Sequence, residues 1–139
     1  MKKPRVFLGG TCNHTTWRKE IEDNVTGIEL FNPVVSDWTP ECQAVEIYEK
    51  ENKCNIHLYV ITKEMTGVFS IAEAVDSVHN KEVVTIFHVV PDEFREGQKR
   101  SLLATVNLIK SRGGIAFIDS SLQPTIDILN NSVKHFKLI

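Results

Sequence analysis

Short apolar runs alternate with helix-compatible stretches along the chain. Residues 6–9 (Val-Phe-Leu-Gly) form a buried run that stops at Gly9-Gly10. Residues 15–24 are polar but helix-compatible, with Asn13 and Thr15 as candidate caps. Residues 28–31 read as a second short strand, closed by Asn32-Pro33. The next helix is expected from Pro40 to Asn52, because proline suits the first helical position and Thr39 can cap it. Ile56–Ile61 is a third strand. After Ser70, the residues Ile71, Ala74, Val75 and Val78 fall at i, i+3, i+4 and i+7, one apolar stripe of a helix. Residues 83–90 form a fourth strand. Leu102, Leu103, Val106 and Ile109 mark another amphipathic helix, ending at Gly113-Gly114. Ile115–Ile118 is a fifth strand, and a final helix is expected over 124–134.

This alternation implies an α/β fold, a doubly wound five-stranded parallel sheet with helices on both faces. No repeat, low-complexity stretch or interdomain linker interrupts it, so residues 1–139 read as a single domain. Sheets of this kind bind ligands outside the carboxyl ends of their strands, where the strand order reverses. The segments expected there are 9–16, 32–39, 62–70 and 91–96.

Composition narrows the partners. With 16 basic and 18 acidic residues, a net charge of −2 and only short basic runs (Lys2-Lys3-Pro4-Arg5 and Lys99-Arg100), binding to a nucleic-acid polymer is not expected. No apolar run nears the roughly 20 residues that cross a bilayer, and the apolar stretch at 6–8 is too short for a signal-peptide core. Cys12, Cys42 and Cys54 are odd in number and lack a C-x-x-C pairing, which points to reduced thiols and a cytoplasmic location. The five histidines are scattered without a Cys/His cluster, so a metal site is not expected. The leading reading calls for no cofactor.

Several residues at the strand ends could carry chemistry. Gly9-Gly10-Thr11 matches neither a dinucleotide nor a triphosphate loop, but two glycines permit a tight turn and close approach by a ligand. Trp17 could stack on a base or simply cover the sheet edge. The loop at 32–40 carries Asp37 and Trp38 between two prolines. Asp37 serves either a ligand or the turn. Ser70 and Glu73 have the spacing of a capping box, which alone could explain both. Glu73 lies roughly 150° from the apolar stripe at about 100° per residue, and so is not core-facing. From the first turn it points either into the crevice or into water. The helix N-terminus would favour the ionised carboxylate that a nucleophile needs. Glu46 and Glu49 are ordinary acids of an exposed helix, and His57 and His88 read as satisfied strand residues.

Taken together, Val6-Phe7-Leu8-Gly9-Gly10-Thr11, Phe31-Asn32-Pro33, Asp37-Trp38, residues 54–61 and Thr66-Gly67 through Glu73-Ala74 resemble the nucleoside 2-deoxyribosyltransferase family, in particular its shorter branch. The resemblance runs from the first strand to about Val90. It implies a flavodoxin-like fold and transfer of 2-deoxyribose between bases through a covalent sugar–carboxylate intermediate. Some relatives hydrolyse the N-glycosidic bond of deoxynucleotides instead. The family nucleophile carries over to Glu73, and its second acid to Glu46 after a one-residue shift. Gly10 and Thr11 correspond to the turn lining the sugar and base. The candidate substrate-binding set is Gly10, Thr11, Asn13, Trp17, Asp37, Trp38, Gly67 and Ser70. A neighbouring subunit usually completes the site, which implies a homodimer or higher homo-oligomer. The chain departs from the pattern at Gly67 and Asn55, where relatives carry Asp. It also has Val68-Phe69-Ser70-Ile71-Ala72 in place of a glycine-rich stretch.

The expected chemistry is a retaining displacement in which Glu73 attacks the anomeric carbon as the base departs. Glu46 would orient Glu73 or bind the sugar, and Asp37 and Trp38 would recognise the base. One alternative is a nucleotide- or nucleoside-binding module of the same fold without catalysis, motivated by Gly67. A phosphoacceptor receiver would need acids after the first strand and an Asp ending the third. The chain has Gly9-Gly10 and Thr62 there. A flavin mononucleotide is compatible with the fold alone.

Overall fold

The computed structural model describes residues 3–12 and 14–137, with side chains through residue 132. Asn13, a candidate cap and substrate contact, lies outside the described residues. The order of elements is β1 (Arg5–Gly10), α1 (Trp17–Asn24), β2 (Glu29–Phe31), α2 (Pro40–Asn52), β3 (Ile56–Ile61), α3 (Phe69–Val78), β4 (Val84–Val89), α4 (Glu96–Ser111), β5 (Ile115–Ile118) and α5 (Gln123–Lys137). The strands form one sheet in the order β2-β1-β3-β4-β5, and every neighbouring pair is parallel. This is the flavodoxin-like doubly wound arrangement, with its reversal between β1 and β3.

Period-two alternation assigns the two faces. Val6 and Leu8 of β1 and Ile56, Leu58 and Val60 of β3 pack with Trp17 and Ile21 of α1 and Ile126 and Leu129 of α5. The intervening Phe7, Tyr59, Ile61, Phe87 and Val89 pack with Ala74 and Val78 of α3 and Leu102, Val106 and Ile109 of α4. Both faces are covered, so the central strands read as continuous apolar runs. His57, Thr85 and His88 are polar exceptions, all buried, and the two histidines are hydrogen-bonded.

Helix starts follow local chemistry where the cap is free to act. Thr39 accepts from the Cys42 amide and Pro40 opens α2, as the sequence implies. α1 begins two residues later than expected, at Trp17. Thr15 does not cap it, because its hydroxyl donates to the carbonyls of Thr11 and Cys12 instead. The capping box of Ser70 and Glu73 also fails to form. Val68 precedes the first turn of α3, no side chain caps it, and Glu73 is drawn elsewhere. Leu103 is 48% exposed, so the buried stripe of α4 is Leu102, Val106 and Ile109. No helix among the described residues is long and apolar enough to cross a membrane.

Candidate active site at the carboxyl edge

The carboxyl ends of β1 and β3 meet where the strand order reverses, and two glycines bring them together. A Cβ on Gly9 would stand 2.7 Å from the Tyr59 ring. Gly10 has φ +109°, and its Cβ would stand 2.2 Å from the Val60 carbonyl oxygen. Both positions therefore exclude a side chain. Beyond them, Thr11 donates its amide to the Val60 carbonyl and accepts at Oγ1 from the Thr62 amide, which ties the two loops together. Arg18, on the first turn of α1, reaches back to the same strand end. Its Nε donates to the Leu8 carbonyl at 3.0 Å and its Nη1 to that of Thr11 at 2.8 Å. The Arg18 guanidinium forms no ion pair among the described residues, and it lies against the Cys12 sulfur at 3.7 Å.

Glu73 faces this edge from α3, in a setting its own helix does not reveal. Lys50, near the end of α2, places its Nζ 2.7 Å from Glu73 Oε2, and each residue is only 8% exposed. Of its two expected directions, Glu73 takes the crevice and not open water, and it is nearly enclosed there. α3 turns Glu73, Ala74, Ser77 and Val78 inward and leaves Ile71 and Val75 only partly buried, so its enclosed face is rotated from the apolar stripe towards Glu73, where Lys50 of α2 meets it. Ser77, one turn beyond Glu73, continues the polar row inward. The Lys50 carbonyl can only accept, so His57 Nε2 donates to it at 2.9 Å. His57 Nδ1 must then accept from the Ser77 hydroxyl at 2.9 Å, and Ser77 Oγ accepts from the Tyr59 hydroxyl at 2.7 Å. This chain holds a neutral His57 in one tautomer, and burial, the largest influence, lowers its pKa. Burial likewise raises that of Tyr59.

Glu46 lies one turn before Lys50 on α2, half-buried at the mouth of the crevice. Its carboxyl is pushed above the ordinary range by burial first and by the Glu73 charge second, while Lys50 and Arg18 act in the opposite sense. The two acids thus differ in setting: Glu73 contacts an ammonium, and Glu46 is biased towards its protonated form. Two adjoining cavities of about 360 and 470 Å³ share Trp38, Glu46, Phe69 and Glu73. Both lie in the size range of small-molecule sites. Gly10, Cys12, Arg18 and Ser70 line the first, whose apolar wall is Pro33, Val34 and Val35. Lys50 and Asp76 line the second.

The sequence-derived set is only partly gathered here. Glu73, Glu46, Gly10, Trp38 and Ser70 line these cavities. Thr11 sits behind them as a buried tie between loops. Trp17 is 4% exposed. Its indole donates to the Thr11 carbonyl at 2.9 Å, and its ring faces a different cavity on the α1–α5 side of the sheet. Asp37 and Gly67 are exposed and line neither cavity around Glu73. Lys50 and Arg18 were not singled out from the sequence. The one hint was the i, i+4 spacing of Glu46 and Lys50, which is common on solvated helices. Among the described residues, no group of three or more His, Cys, Asp or Glu side chains is placed to hold a metal ion.

Fold and site together define a doubly wound α/β domain with two acids of unlike environment at its switch-point crevice. Residues 3–92 match the family described as nucleoside 2-deoxyribosyltransferase like, and the chain belongs to that family. No curated protein and no solved structure matches it.

Proposed function

We propose that the protein cleaves or exchanges the N-glycosidic bond of a (deoxy)nucleoside or nucleotide through a covalent glycosyl intermediate on Glu73. The observation that carries this reading is the buried contact of Glu73 Oε2 with Lys50 at the edge of a nucleoside-sized crevice. With Oε2 engaged, Oε1 is the oxygen that attacks the anomeric carbon. The carbon–nitrogen bond breaks with its electron pair leaving on the base, and charge builds on the sugar as in retaining glycosidases. Glu46, whose burial favours the protonated form, supplies the proton to the departing base. A second base, or water, then attacks the same carbon and releases Glu73. Trp38, Val34, Val35 and Phe69 offer apolar surface for the planar base.

The homo-oligomer implied by the family resemblance is part of this proposal. Val45 and Tyr48, which α2 leaves 56% and 55% exposed, mark the face through which copies would pair. A second reading, ligand binding without turnover, is favoured by Gly67, which stands where better-known relatives carry an acid. The test is to incubate the protein with deoxyinosine and adenine and to follow deoxyadenosine and free hypoxanthine by chromatography. Exchange or hydrolysis is expected, and Glu73→Gln should lower it by more than about 1,000-fold, the scale on which nucleophile removal acts. A Glu73→Gln variant as active as wild type excludes the proposed nucleophile. Saturable binding with no product supports the second reading.

A further inference from the structure

Lys50 has so far served only to engage Glu73 Oε2, yet it is one of the most enclosed side chains of the site. Its stem is buried, its ammonium sits 2.7 Å from Glu73 and 5.8 Å from the centre of the Phe7 ring, and its carbonyl is fixed by His57. It is also one helical turn from Glu46, and the cavity beside it is lined by both acids. Burying an ammonium is unfavourable unless a counter-charge is kept beside it. The proposed reaction removes that counter-charge, because esterification neutralises Glu73.

Resting on the glycosyl-transfer reading, we propose that Lys50 is the positioning residue of the site: it aims Glu73 Oε1 at the sugar, then serves as counter-ion to Glu46 while the sugar is held on Glu73. The charges balance at each stage. In the proposed cycle, the form that reacts carries the Glu73 carboxylate, the Glu46 carboxylic acid and the Lys50 ammonium. In the first step the Glu73 Oε1–carbon bond forms, the carbon–nitrogen bond breaks and the Glu46 proton passes to the leaving base. The cluster then contains a neutral ester, the Glu46 carboxylate and the same ammonium. In the second step Glu46 takes a proton from the incoming base or water, and the ammonium returns to Glu73. Lys50 exchanges one carboxylate for the other without giving up its own proton. The other charged or titratable groups facing the cluster are Arg18 of α1, Cys12 beyond β1, Glu51 of α2, Asp76 of α3, and His57 and Tyr59 of β3.

The experiment compares wild type, Lys50→Arg and Lys50→Met in exchange kinetics from pH 5 to 9, with each variant's fold checked by circular dichroism. Lys50→Met is expected to lower kcat by about 100-fold with KM changed less than about threefold, as when a transition-state interaction is lost. The acidic limb of its pH profile should move up by at least one pH unit. Lys50→Arg should keep kcat within about tenfold and leave that limb in place. A folded Lys50→Met with wild-type kcat and an unmoved limb overturns the proposal, as does loss of activity in Lys50→Arg equal to that in Lys50→Met. If Lys50→Met does not fold, Lys50→Arg together with Lys50→Gln decides on the same criteria. A second readout does not depend on turnover: the Glu73 carboxyl carbon, labelled with carbon-13, should titrate at higher pH in Lys50→Met than in wild type. An inactive wild type refutes the glycosyl-transfer reading, whereas coincident titration curves refute the role of Lys50 alone.

Discussion

Removing the Lys50 ammonium tests how the fold tolerates a buried carboxylate. Lys50→Met keeps most of the stem and deletes the charge, leaving Glu73 8% exposed with no counter-ion at Oε2. At the observed 2.7 Å, two unit charges attract by about 6 kcal/mol for an effective dielectric constant near 20. Desolvation offsets part of this, and breaking a buried pair typically destabilises by about 3–5 kcal/mol. The orphaned acid has one escape, which is to take up a proton. For a carboxyl of ordinary pKa, about 4.3, neutralisation at pH 7 requires about 3.7 kcal/mol, and at pH 5 only about 1 kcal/mol.

The predicted loss is therefore about 3–4 kcal/mol at pH 7, shrinking towards about 1–2 kcal/mol at pH 5. The sign follows from linkage: the variant's folded state binds a proton that its unfolded state releases at neutral pH, so its deficit grows as pH rises. Urea unfolding at both pH values, with m-values checked for equality, measures the difference. Lys50→Met combined with Glu73→Met should lie within about 1 kcal/mol of wild type, because an apolar pair has no charge to orphan. A single variant as stable as wild type at pH 7, or a deficit that does not change with pH, would refute the reasoning.

Gly10→Ala places a methyl group 2.2 Å from the Val60 carbonyl at φ +109°, and should lower unfolding free energy by more than about 2 kcal/mol in urea melts. Burial depresses the pKa of both His57 and His88, so their stabilising contribution is complete above the unfolded value of about 6.5 and is lost as pH falls below it. The stability gap between wild type and a His57→Gln/His88→Gln variant should accordingly narrow from pH 7.5 to pH 5. Burial raises the Cys54 thiol to about 11, while Cys12 is exposed. Brief iodoacetamide treatment at pH 8 should therefore label Cys12 and spare Cys54, as read by peptide mass spectrometry. Tyr48→Glu should lower the sedimentation coefficient if α2 pairs copies of the chain, and an unchanged monomer value in both proteins would remove that part of the proposal.

The sheet was legible because each strand's pattern reports on covering layers that the α/β alternation already implies. Ile56–Ile61 reads as continuous apolar sequence apart from His57 and Tyr59, and it is buried on both faces. The start of α2 was legible for a local reason, since Thr39 and Pro40 act on amides within three residues. The site was legible only as far as the same kind of information reached. Glu73 could be placed on a helix at the crevice, but α3 starts at Phe69, so Glu73 lies past the first turn where the sequence put it, and its partner is a lysine 23 positions earlier in the chain. α2 conceals that lysine: its apolar Val45, Ile47 and Tyr48 are exposed, and its buried residue is the charged Lys50. The 32–40 loop divides in the same way. Trp38 reaches the cavity and Asp37 does not, although the two are adjacent in sequence. Periodicity tells which face of a helix meets the layer it was patterned for. It says nothing of a second neighbour that arrives through a crossover, and here that neighbour supplies the counter-ion. The surroundings of the two acids are therefore tertiary: the Lys50 ammonium that reaches Glu73 from α2, and the depth at which Glu46 meets the crevice.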